Sequence, residues 1–494
     1  MLKLFTIGDS ISQGFMSGAA ARTDLCYSTL LANVLGIADY KYPDWPEGGL
    51  PVNIEGLFRL LEKDYGSEIN TLEWTLAFAA TIPRFLDKVE AFYERGDYAA
   101  DKPYPDKAIS YFHNVAVRGF NVSDAWLIDG AYCQRKIKES GTKDDFYAAP
   151  NESLVRTALK VLNPSLKKEH STKSQLDWLN YHVQNGGVEN VIIWLGANNA
   201  LGTIVDLSIN YTPGLGKTAA LSRDKILENG WNLWHPTDFA ADYKMLLDKI
   251  DTALAGTTTK VFLATVPLVT IAPLAKGVGE TFEVKIMNDD GTDDTVTYFK
   301  YYTYFPFDEA YAFKTGINLS FTQALHVDNC IRAYNKTIKN LIAERNNQQP
   351  GRYHLVDMAN VLDNLAFKRN NGVPCYKFPP YFQFKYPTPN TKYYHADTEG
   401  NLKQGGIFSL DGVHPTAIAH GLIAYEFLKV MKQANVPGAN PNGLDWEAIF
   451  ASDRLYQEPI KIMHEVYDNT HLAEWVLRFA KGFHREETKR EKEG

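Results

Sequence analysis

Short apolar runs alternate with longer amphipathic stretches along most of the chain. Residues 2–7 (LKLFTI) are mostly apolar and stop at Gly8-Asp9-Ser10, which predicts a buried strand closed by a turn. Residues 111–117, 188–195, 260–266 and 353–357 predict four more strands, the third of the five carrying the uninterrupted run Val191-Ile192-Ile193-Trp194-Leu195. Between them, Phe239, Tyr243, Leu246, Leu247, Ile250 and Leu254 recur near a 3.6-residue period, which predicts a helix over 239–254. Residues 28–35, 327–343 and 417–431 also read as helices. Apolar strands alternating with amphipathic helices predict an α/β fold with a mostly parallel sheet covered on both faces.

Several stretches break this alternation and read as additions to one catalytic core over residues 1–436. Residues 39–101 hold a Pro/Gly-rich segment and then helices; 268–322 begin apolar, turn polar and then aromatic; 375–406 are rich in Pro and Tyr. After a Pro/Gly/Asn break at 437–443, the rest of 437–494 predicts a helical extension packed on the core, ending in a charge run from His484.

The chain has 494 residues, 45% of them hydrophobic, which is enough for a large core. Its net charge of −8, with no basic block, argues against a nucleic-acid partner. No apolar run reaches the ~18 residues of a membrane span, and no secretory signal is visible before Gly8. The expectation is a cytoplasmic protein, or a secreted one if a leader has been removed. Cys26, Cys133, Cys330 and Cys375 are far apart with no Cys-x-x-Cys pair, so they read as free buried thiols.

Four short motifs fall at predicted strand ends or in a late loop, the edge at which open α/β sheets bind ligands. Gly8-Asp9-Ser10-Ile11-Ser12 sets a serine at a strand-to-helix turn, either as an exposed nucleophile or as a plain helix cap. Asn114-Val115-Ala116-Val117-Arg118-Gly119 ends in a glycine that permits close backbone approach or simply turns the chain. Gly196-Ala197-Asn198-Asn199 offers an amide donor for an oxyanion, or an Asx turn. Asp411-Gly412-Val413-His414-Pro415 pairs a base with its orienting carboxylate three residues away, ahead of a helix. Together they form the parts list of acyl transfer through a serine ester.

These segments resemble the signature blocks of the SGNH hydrolases, the GDSL esterase/lipase family: Gly8-Asp9-Ser10 with Ser12 is similar to block I, Asn114-x-Ala116-x-x-Gly119 to block II, Gly196-Ala197-Asn198-Asn199 to block III, and Asp411-x-x-His414-Pro415 to block V. The resemblance implies a three-layer α/β/α sandwich with about five parallel strands, similar to the flavodoxin-like arrangement. It implies Ser10 as nucleophile, His414 as base and Asp411 as its partner. The Ser10 N–H, the Gly119 N–H and the Asn198 amide would form the oxyanion hole. The implied function is hydrolysis of a small-molecule, lipid or carbohydrate ester, without metal or organic cofactor. The same residues would serve an O-acyltransferase, and an inactive copy would leave a binding protein. The chain departs from the family in three ways: its length is about twice that of a common family core, Asn199 stands where Asp is usual, and insertions spread the blocks apart.

Other features carry simpler expectations. His464, Glu465 and His471 lack metal-site spacing and read as a helix face. Gly214-Leu215-Gly216-Lys217-Thr218 resembles part of a phosphate loop but lacks its first glycine and a preceding strand, so it reads as a surface loop. The aromatic clusters at 298–305, 381–386 and 393–394 either pack the insertions or cap Ser10, stacking sugars or holding an acyl chain.

Overall fold

The computed structural model describes residues 1–141, 150–287 and 293–468. Four parallel strands form the central sheet: β1 (Leu2–Gly8), β2 (Val188–Trp194), β3 (Lys260–Ala264) and β4 (Tyr353–Val356), in the spatial order β1-β2-β3-β4. Register aligns Gly8 with Trp194, Ile193 with Leu263 and Leu263 with Leu355, so the carboxyl ends of β1 and β2 lie side by side. The protein is therefore α/β with a parallel central sheet.

The fifth expected strand, 111–117, is only an extended edge segment with a single bridge, Thr6 to Asn114. Thr6 donates its N–H to the His113 carbonyl (2.9 Å), Val115 donates to Thr6 (3.0 Å) and Val117 to Gly8 (3.1 Å). The physical reason it stops there is local. The Asn114 side chain accepts the Ala116 N–H at 3.0 Å, and the outward N–H groups of His113 and Asn114 both go to the Lys41 carbonyl. A side-chain turn and a crossing loop thus satisfy an edge that another strand would otherwise cover.

Side chains alternate along the strands into two cores. Phe5, Ile7, Val191, Ile193, Val261 and Leu263 enter one, with helices α2 (Gln175–Gln184), α3 (Pro236–Ala253) and α4 (Phe321–Gln348) contributing Leu179, Leu246 and Ile331. Leu4, Ile192, Trp194, Phe262 and Ala264 enter the other, with α1 (Tyr27–Val34) and α5 (Ala417–Gln433) contributing Leu31 and Phe427. Each fully buried side chain of this size adds about 1.5–3 kcal/mol of hydrophobic stabilisation. Two helices start earlier than periodicity indicates, because polar caps precede the apolar face. His235 caps α3 with Pro236 in its first turn, and Ser320 with Gln323 forms a capping box on α4.

In 39–101 the helices Ile54–Tyr65, Thr71–Leu76 and Ile82–Glu90 follow the short strand Leu50–Pro51, which pairs with Ala19–Ala20. In 268–322 the polar and aromatic stretches pair as a long antiparallel hairpin, Ala275–Met287 with Asp293–Tyr304. The 375–406 segment is largely irregular, with one short pair, His395–Ala396 and Leu402–Gln404. The described part of the C-terminal extension holds the short helices Trp446–Ser452, Arg454–Gln457 and Met463–Asp468, and Asp453 fastens it to α5 by accepting the Ile418 N–H at 3.0 Å. The charge run from His484 lies outside the described residues. Cys26, Cys133 and Cys330 are buried free thiols, but Cys375 is exposed because its segment runs over the surface. No helix among the described residues is long and apolar enough to cross a membrane.

Candidate active site

The four motifs meet at the carboxyl ends of β1 and β2. After Gly8 the chain turns directly into a short helix, Ser10–Gln13, capped by Asp9, whose carboxylate accepts the Ile11 N–H at 3.1 Å. Gly8 has to be a glycine here, since a Cβ would lie 2.3 Å from Ser12 Oγ. Ser10 is therefore the first residue of a helical turn whose Ile11 N–H is capped by Asp9.

The loop at 409–415 brings the other partners. His414 Nε2 lies 2.9 Å from Ser10 Oγ, and His414 Nδ1 lies 3.0 Å from Asp411 Oδ2. Asp411 is held on both oxygens. Oδ1 accepts the Val413 N–H (2.9 Å) and the His414 N–H (2.8 Å), and Oδ2 accepts the Gly18 N–H (3.0 Å). Burial opposes its ionisation, but the His414 charge and hydrogen bonds and the two backbone donors outweigh it, and its pKa is held below the ordinary carboxylate range. An ionised carboxylate only accepts, so the Nδ1 position carries the proton and Nε2 presents its lone pair to the Ser10 hydroxyl. Phe15 packs on the imidazole with ring centroids 4.5 Å apart, which fixes the ring's plane.

The oxyanion candidates flank this chain. Asn198 sits in the turn Ala197–Asn199 after β2; its Nδ2 donates to the Phe120 carbonyl (2.9 Å) and lies 3.4 Å from Asp9 Oδ2. Gly119 occupies the left-handed region at φ 74°, one residue before the carbonyl that takes the Asn198 amide. Asn114 and Asn199 face elsewhere. Asn114 ties the second motif to the first by donating to the Ser12 carbonyl (2.7 Å) and Ser28 Oγ (3.0 Å), and Asn199 accepts the Val122 N–H at 3.1 Å.

Sequence reasoning did not single out three supports. Gln175 donates to both the Gly8 carbonyl (2.9 Å) and the Val115 carbonyl (2.7 Å), bridging the ends of β1 and the edge segment. Gln13 accepts the Arg118 N–H at 2.8 Å, and Ser409 Oγ accepts the Ser17 N–H at 2.8 Å. Each is a long-range partner with no local pattern to mark it.

A narrow cavity, partly open to solvent, begins at Ser10 and His414. None of the aromatic side chains in the 298–305, 381–386 and 393–394 clusters lines it. Tyr298, Tyr302, Tyr304 and Tyr394 are instead buried in the core, and Tyr393 holds the 409–415 loop by donating to the Leu410 carbonyl. The cap reading of these aromatics is thereby corrected: paired strands and turns pack most of them within the insertions, and Phe384 and Tyr386 stand exposed on the surface.

The remaining motifs are occupied by the fold itself. The loop at 214–218 turns the Gly214 and Gly216 N–H groups onto the Asp238 carboxylate at 2.7 and 2.6 Å, so an internal anion fills it. Glu465 accepts the Ile69 N–H at 3.0 Å and His464 Nδ1 lies 2.8 Å from the Lys461 carbonyl, while His471 lies outside the described residues. A scan against protein-family models and a search of curated proteins both find no match to this chain.

Proposed function

We propose that this chain is a serine carboxylic ester hydrolase of the SGNH type, on a three-layer α/β/α sandwich. The observation that carries the reading is the continuous contact from Ser10 Oγ through His414 to Asp411, at 2.9 and 3.0 Å. Ser10 Oγ adds to the ester carbonyl while His414 Nε2 takes its proton. Asp411 holds the tautomer and balances the imidazolium charge. The oxyanion is received by the Ser10 N–H, the Gly119 N–H and the Asn198 amide. As the C–O bond to the alcohol breaks, His414 returns the proton to the departing oxygen. Water, deprotonated in turn by His414, releases the acid and regenerates Ser10. Support for the fold reading comes from the two cores on opposite sides of the parallel strands and from the edge segment beside β1.

The test is covalent labelling with a fluorophosphonate, followed by peptide mass spectrometry, with Ser10→Ala as control. An adduct on Ser10 of the native protein, lost in the variant, is expected. A native protein that takes no label and hydrolyses no ester overturns the proposal.

A further inference from the structure

The cavity at Ser10 differs from an ordinary polar cleft in its lining. Apart from Ser10 and His414, every side chain that faces it is apolar. Its walls come from three directions: Val269 and Ile271 in the turn after β3, Leu362 and Leu365 in the helix Met358–Leu365, and Ala419 and Leu422 in the first turns of α5. Trp194 closes part of the wall, and its single N–H is turned away, donating to the Thr265 carbonyl at 3.2 Å. A ligand inside this space therefore meets no side-chain donor or acceptor other than those of Ser10 and His414.

Two physical consequences follow. Protein interiors are close-packed, and an apolar void that is retained binds apolar matter in preference to water. A hydroxylated group such as a sugar ring would be stripped of water with nothing to replace it, a loss of roughly ten-fold in affinity for each stranded hydroxyl. A hydrocarbon chain loses nothing and removes its surface from water.

We infer that this cavity receives an aliphatic chain of several methylenes belonging to the ester, and that sugar acetates are poor substrates. The inference rests on the esterase reading above. The chain is either the acyl group or the alkyl part of the alcohol, since both radiate from the carbonyl that Ser10 attacks.

Two substrate series separate these sources and test the idea. The first holds 4-nitrophenol constant and lengthens the acyl group from acetyl to decanoyl. The second holds acetyl constant and lengthens the alkyl alcohol. In one series kcat/KM rises about four-fold per methylene until the cavity is filled. A rise in the first series assigns the cavity to the acyl chain, and a rise in the second assigns it to the alcohol. Hydrolysis of acetates with flat profiles in both series, or with acetylated sugars preferred, overturns the inference and leaves the esterase reading standing. No hydrolysis and no Ser10 labelling at any length removes the esterase reading, and the inference falls with it.

Variants give the same test a second readout. Ala419→Phe projects a ring into the cavity and lowers the ratio of octanoate to acetate kcat/KM by ten-fold or more. Leu422→Ala deepens the cavity and moves the optimum to longer chains. Circular dichroism and Ser10 labelling identify a variant that has failed to fold, because loss of structure lowers both substrates together. Two folded variants with the native chain-length profile overturn the inference.

Discussion

Asn198 turns its amide toward Asp9, with Nδ2 3.4 Å from Oδ2, while donating to the Phe120 carbonyl at 2.9 Å. Both amide protons thus have an acceptor before any substrate arrives. Asp9 is fully buried, and burial pushes its carboxyl up to about 7, against the Ile11 N–H and the His414 charge that favour the ionised form. The residue next to Ser10 therefore changes charge near neutral pH.

This relationship predicts a falling limb in the pH–rate profile. Below about 7, Asp9 is mostly neutral. Above it, a carboxylate competes for the Asn198 proton and sets negative charge beside the forming oxyanion. Asp9→Asn keeps an oxygen to cap Ile11 and removes the charge, so, on the proposed esterase activity, kcat/KM should stay level at high pH where that of the native protein declines. Profiles of both proteins from acid to alkaline pH check this; identical profiles refute it.

The same group predicts a stability trend. Its folded-state pKa is raised above the ordinary value of 3.8, so its stabilising contribution is complete below 3.8 and is lost as pH rises through about 7. Asp9→Asn should lose less stability than the native protein over that interval, by on the order of a few kcal/mol. Urea unfolding at several pH values measures the difference.

Asn198→Ala should lower kcat by ~10²–10³ with little change in KM, the signature of a donor that acts on the transition state. The lost bond to Phe120 is a structural effect and would show as a lower melting temperature. Unchanged kcat would remove Asn198 from the oxyanion hole.

Asp411→Asn is expected to lower kcat by ~10³–10⁴. An amide at this position can present its N–H₂ to His414 Nδ1, which reverses the tautomer and takes the lone pair away from Ser10. The oxygen can still accept the Val413 and His414 N–H groups that now go to Oδ1, so the turn itself should hold its shape, while the Gly18 N–H loses the acceptor it has on Oδ2. Near-native melting with the activity gone would separate this from collapse of the loop.

How much of this was legible in the sequence depended on whether the signal was local. The strands 2–7, 188–195 and 353–357 and the helix at 239–254 were readable because apolar periodicity is a short-range pattern. The Ser10, Asp411 and His414 positions were readable because Gly and Pro punctuate their turns. The edge segment at 111–117 was misread because its composition is that of a strand while Asn114 bends it locally. Gln175 and Gln13 went unseen because their partners lie far away in the chain. The aromatic clusters were ambiguous because ring density reports burial without saying against what.

The 268–322 insertion yields a last prediction. Asp328 on α4 and Arg369 form an ion pair with side chains 0% and 1% exposed. Asp328 also accepts the Thr270 and Tyr298 hydroxyls, each at 2.7 Å, and Arg369 donates to the Thr297 carbonyl at 3.0 Å. The pair thus fastens the hairpin and the turn Val269–Ile271, which lines the cavity, to the core. Asp328→Ala removes the hydrogen-bonded counter-charge of a buried guanidinium and leaves it only the more distant Asp363, which should cost about 3–5 kcal/mol. Replacing both residues, Asp328→Leu with Arg369→Met, should recover much of that loss, because the desolvation of the charges disappears with them. Chemical unfolding of the single and double variants measures this directly. A single variant as stable as the native protein would show that the turn is held by its apolar contacts alone.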